Sequence, residues 1–177
     1  MLKGDCDFGR QLPFFENLKR LDFCGRPDGF NWVLGLVHNL SECPVLEELY
    51  FRDLNPDSDG DVLATKILEE LKKDVLFVPP LKKVTIEDFT GEAAITTLVQ
   101  FLLYRASLLE SVALYHCKHD VNIKRGVTRA RKKMLNVQKA SPSVKIAIID
   151  SGTFCDGSIS EKQPRQTLHW NPYFCDF

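Results

Sequence analysis

Five stretches of this chain have residue types and spacing that suggest chemistry. The first is "VKIAIIDSGTF", an apolar run ending in Asp150, Ser151 and Gly152. An aspartate at the end of a strand, followed by Ser-Gly, resembles the aspartate segment of subtilisin-like proteases. In such a site the carboxylate orients a histidine, and the histidine activates a distant serine. Only about 25 residues follow Gly152, and the downstream His169 sits in "LHWN" with no glycine-rich neighbourhood. A strand closed by a turn accounts for the same residues, and no catalytic activity is expected.

The second is "NPDSDGD", which places Asn55, Asp57, Asp59 and Gly60 at positions one, three, five and six of a calcium loop. Position twelve should be a bidentate glutamate, and here it is Lys66. A surface loop feeding an acidic helix start is the expectation. The third, "HCKH", offers His116, Cys117 and His119 for zinc, but tetrahedral zinc needs four ligands and no second pair is clustered. No cofactor or metal is expected. The fourth, "DFG" at Asp7 to Gly9, stands without any other kinase feature. The fifth, "KRGVTRARKKM", gathers Lys124, Arg125, Arg129, Arg131, Lys132 and Lys133. Such a cluster suits nuclear import or phosphate. No aromatic residue interleaves it, so base stacking on nucleic acid is not expected. A solvated helix face is the ordinary account.

The elements that carry these stretches repeat. The pattern LxxLxL occurs as Leu18-Leu21-Phe23, Leu46-Leu49-Phe51, Leu81-Val84-Ile86 and Leu109-Val112-Leu114, with a weaker fifth copy carrying Ile146 and Ile148. The copies begin about 28, 35 and 28 residues apart, near the top of the leucine-rich range. A single unit of this size cannot bury its apolar face, whereas stacked neighbours can. Between the copies lie helical stripes: Trp32, Leu36 and Leu40; Leu63, Ile67, Leu68 and Leu71; Ile95, Leu98, Val99, Leu102 and Leu103. Helix starts are expected near Asp59 or Asp61 and near Glu92. Pro44, Pro79 and Pro80 mark points where a helix has already ended. Strands separated by helices at this spacing pair in parallel.

Pro80 to Ile149 also resembles a known family. "LKKVTIEDFTGEAAITTLVQFLLYRASLLESVAL", a basic helix and "SPSVKIAII" are similar to the leucine-rich and FBD region of plant F-box proteins. The likeness extends more loosely back to about Leu12. Ile95 and Thr96 stand where that family often has an acidic residue, and no F-box is read in the chain. The resemblance implies an α/β leucine-rich-repeat solenoid, with parallel strands on the concave face and helices on the convex face. It implies the substrate-holding half of a ubiquitin-ligase adaptor. The ligase core would be a partner only where an F-box is supplied elsewhere. The alternative is a stand-alone scaffold or decoy with no link to ubiquitin.

The remaining expectations follow from composition and strand alternation. A chain of 177 residues, 44% hydrophobic and 27% charged, suits one domain, placed at 1–152 with an irregular tail at 153–177. A net charge of −1 gives no field that gathers nucleic acid or anionic membrane, and no apolar run is long enough to span one. The opening residues lack a secretory core, so the six dispersed cysteines read as reduced thiols of a cytoplasmic or nuclear protein. If the template residues of each strand point inward, their neighbours form three rows on the other face. These are Arg20, Glu48, Lys83, Ser111, Lys145; Asp22, Tyr50, Thr85, Ala113, Ala147; and Cys24, Arg52, Glu87, Tyr115, Ile149. Arg20, Asp22, Glu48, Tyr50, Arg52, Glu87 and Tyr115 are the candidate contacts for a protein partner. Tyrosine and arginine lead because they dominate interface hot spots.

Overall fold

Each LxxLxL copy forms a strand. The structure is a computed structural model and describes residues 15–24, 31–52, 61–73, 77–116, 121–150 and 167–170. The elements in chain order are β1 (Arg20–Cys24), α1 (Asn31–Asn39) closed by a 3₁₀ turn at Leu40–Glu42, and β2 (Glu48–Arg52). They continue with α2 (Asp61–Lys73), β3 (Lys83–Ile86), α3 (Ala93–Arg105), β4 (Ser111–His116), α4 (Val121–Leu135), β5 (Lys145–Asp150) and β6 (Thr167–Trp170). The fold is α/β. All strand pairs are parallel, and the sheet order is β5-β4-β3-β2-β1-β6.

The expected inward residues are inward. Leu21, Phe23, Leu49, Phe51, Val84, Ile86, Val112 and Leu114 are all buried, and stand opposite one another in register. They share one core with Trp32, Leu36, Leu68, Leu71, Leu98, Leu102, Val127 and Met134 from the four helices. The helices therefore lie on one face of the sheet. Phe23 anchors the β1–β2 end, its ring 5.8 Å from both Trp32 and Phe51. The helix α3 touches α1, α2 and α4, and it is apolar almost all round, as a central helix must be. It starts after Glu92 and α2 starts at Asp61, as the charge pattern anticipates.

Three details differ from expectation. First, Ile146 and Ile148 of β5 are only partly buried, because β5 is an edge strand with a sheet neighbour on one side alone among the described residues. Second, β3 ends at Ile86, so Glu87 lies one residue past the strand; its N–H still reaches Phe51 O at 2.8 Å. Asp88 then takes a φ of 52°, turning the chain toward buried Phe89. Third, the region 153–177 is not irregular throughout, since Thr167–Trp170 pairs with β1. The open N–H and C=O groups of an edge strand favour such an addition.

Candidate functional site

With the helices all on one side, the opposite side of the sheet carries no described helix. The two complete predicted rows occur there in register: Arg20, Glu48, Lys83, Ser111 and Lys145, then Asp22, Tyr50, Thr85, Ala113 and Ala147. In the third, Cys24 stands opposite Arg52 and Tyr115 opposite Ile149.

Five of the seven candidate contacts form one cluster over β1, β2 and the end of β3. Arg20 grips Asp22 with two donors, Nε to Oδ1 at 2.6 Å and Nη2 to Oδ2 at 3.2 Å. Its Nη1 lies 3.7 Å from Glu48 Oε2, and its guanidinium sits 4.9 Å from the centre of the Tyr50 ring. The Tyr50 hydroxyl donates to Glu87 Oε1. Asp22 is 4% exposed, so its carboxylate is covered as well as paired. The hydrogen bond to Asp22 raises the Arg20 pKa, and burial opposes it. Burial raises the Tyr50 pKa above its ordinary value, and the bond to Glu87 adds to it; nearby Arg52 and Arg20 pull the other way. Tyr50 is therefore a neutral donor throughout the physiological range. Long charged side chains are thus held in one arrangement by one another.

The other half of this face is smaller and less charged. Ala113, Tyr115 and Ile149 are half-buried and Ala147 is exposed. Tyr115 is on β4, two strands from Tyr50 on β2, or about 10 Å. It does not join the cluster. Two features escaped sequence reasoning. One is a charge ladder at the strand entrances, where Lys19 and Lys82 lie 3.9 and 3.0 Å from Glu47. Its signal was the alternation Lys19, Glu47, Lys82, Glu110 one residue before each strand. The other is the stacking of Arg20 on Tyr50, a diagonal contact between neighbouring rows that row reading overlooks.

The protease-like residues are far apart. Asp150 ends β5 and His169 lies in β6, at opposite edges of the six-stranded sheet. Five strand spacings, about 24 Å, separate them. Ser151 and Gly152, the calcium-like Asn55, Asp57, Asp59 and Gly60, and Cys117 and His119 lie outside the described residues, as does the Asp7–Gly9 stretch. His116 ends β4, in register with Asp150. Among the described residues, no group of three or more His, Cys, Asp or Glu side chains could hold a metal, and no helix is long and apolar enough to cross a membrane. Lys124, Arg125, Arg129, Arg131, Lys132 and Lys133 are all on α4. All but Lys133 are exposed, and Val127, Ala130 and Met134 face the core. No family model, curated protein or solved structure matches the chain.

Proposed function

We propose that this chain is a non-catalytic protein-recognition module. In this reading it is a short leucine-rich-repeat solenoid, and the helix-free face of its sheet is the concave side that holds a protein partner. The role is like that of the substrate-binding part of a plant F-box/FBD ubiquitin-ligase adaptor. Support for the solenoid comes from the consecutive order of β1 to β5, from one helix per crossover, and from the LxxLxL copies landing in register. The observation that carries the recognition reading is the Arg20–Tyr50–Glu87 cluster on the open face, beside the less polar Ala113, Tyr115, Ala147 and Ile149. A fixed polar cluster next to a small apolar patch suits a partner that buries an apolar anchor within a polar rim.

The test is a pull-down from plant extract with the wild-type chain, Tyr115→Ala with Tyr50→Ala, and Lys132→Glu with Lys133→Glu as an opposite-face control. A thermal melt accompanies each. The reading expects the tyrosine variant to keep its fold and lose specific partners that the lysine variant retains. Retention by the tyrosine variant, with loss in the lysine variant, would place recognition on α4 instead. Recovery of a ubiquitin-ligase core subunit, with a gene product that supplies an F-box, would distinguish an adaptor from a free scaffold.

A further inference from the structure

We propose that the basic outer face of α4 binds an oligophosphate, a ligand with two or more phosphate groups. This site is separate from the sheet face and does not rest on the function proposed for it. Lys124, Arg125, Thr128, Arg129 and Lys132 line a shallow, open hollow of about 410 Å³ along that face. No acidic side chain lines it among the described residues. The α4 sequence holds six cations and no acid. Because the whole chain is at −1, the remainder carries −7. Positive charge is thus concentrated on one rigid helix.

Spacing and pairing favour a phosphate ligand. Lys124 and Lys132 are eight residues apart, about 12 Å along the helix axis, with Arg125 and Arg129 one turn apart between them. A monoanion meets only part of that array; linked phosphates meet it from end to end. Each guanidinium is a planar fork that matches two phosphate oxygens. Among the described residues, Lys124, Arg125 and Lys132 are in no ion pair, so binding need not break one. Arg129 has a further contact within the protein and is an auxiliary ligand at most. A long nucleic acid is disfavoured, since among the described residues no aromatic lines this face for stacking.

The test is calorimetric titration of the full chain with tripolyphosphate, alongside sodium chloride of equal ionic strength, an oligo-aspartate peptide and duplex DNA. Saturable binding below about 1 mM is expected, with a matching rise in melting temperature. Arg125→Glu with Lys132→Glu should weaken it at least about tenfold, while Arg125→Lys with Lys132→Arg, which keeps both charges and moves the fork, should lose clearly less. Both positions are exposed, so the unliganded melt should not move. Should it fall, Lys132→Gln alone is read instead. Absent saturation, equal binding by the reversed variant, or tighter binding of the peptide or DNA would each overturn the proposal.

Discussion

Gly91 and Gly126 meet backbone to backbone. A Cβ on Gly91 would lie 2.1 Å from the Gly126 carbonyl carbon, and a Cβ on Gly126 would lie 2.3 Å from the Thr90 carbonyl oxygen. Gly126 sits inside α4, where glycine costs about 1 kcal/mol against alanine in propensity alone. The close approach to the turn before α3 is the reason for glycine here. Gly126→Ala should therefore destabilise, by about 1–3 kcal/mol, although alanine is the better helix former. Urea denaturation measures this. A more stable variant would mean that α4 does not dock on that turn. Gly91→Ala should be at least as harmful, since Gly91 also has a φ of 84°.

Cys43 follows the 3₁₀ turn after α1 and is fully buried. Burial pushes its thiol pKa up to about 11, with Glu42 adding to the shift. The native state therefore holds the thiol proton more tightly than the unfolded chain. This group's contribution to stability is intact below about pH 9 and is lost as pH rises toward 11. Cys43 should resist alkylation at pH 8 in the folded chain and react on unfolding. Mass mapping of the labelled cysteine, with and without denaturant, would reveal a different outcome if the turn opens readily.

Thr96 is 2% exposed on α3, and its Oγ1 has no hydrogen-bond partner among the described residues. An unsatisfied buried hydroxyl costs about 1–3 kcal/mol. Thr96→Val keeps the shape and removes the polar atom, so the melting temperature should rise. A lower melting temperature for Thr96→Val would show that the hydroxyl finds a partner in solution.

Strand identity and register were legible because leucine spacing reports both at once. Leu21, Leu49, Val84 and Val112 recur in one template, and a slip of one residue would turn every apolar side chain outward. The contacts within the open face were less legible. The Arg20 bond to Asp22 joins alternate residues of one strand, while its stacking on Tyr50 crosses to the next; both depend on rotamers. The same is true of Glu87, which accepts from Tyr50 only because the chain turns just after β3. The strand at Thr167–Trp170 is not legible, because "TLHW" is too short to signal a strand by itself. Its pairing depends on an edge created by residues nearly 150 positions earlier. The Gly91–Gly126 contact lies beyond periodicity altogether, since an isolated helical glycine reads only as a weak helix former.

Tyr50 and Glu87 connect the cluster across β2 and β3, and their bond should be measurable in the absence of any partner. A hydrogen bond to a charged group contributes about 1.5–3 kcal/mol when desolvated, and less here because both residues are only half-buried. Tyr50→Phe keeps the ring beneath Arg20 and removes the donor. It should cost about 1 kcal/mol, and the loss should shrink when Glu87→Gln is already present, giving a positive coupling in a double-mutant cycle. The raised Tyr50 pKa adds a second signature. The unfolded tyrosine loses its proton near pH 10 while the folded one keeps it, so stability should fall as pH rises beyond that point. Tyr50→Phe should remove this part of the alkaline decline. Denaturation curves at pH 8 and above for the four variants of the cycle provide both readouts. Additive losses and an unchanged alkaline slope would mean that the Tyr50 hydroxyl faces solvent, and the cluster would then be no preorganised surface for a partner.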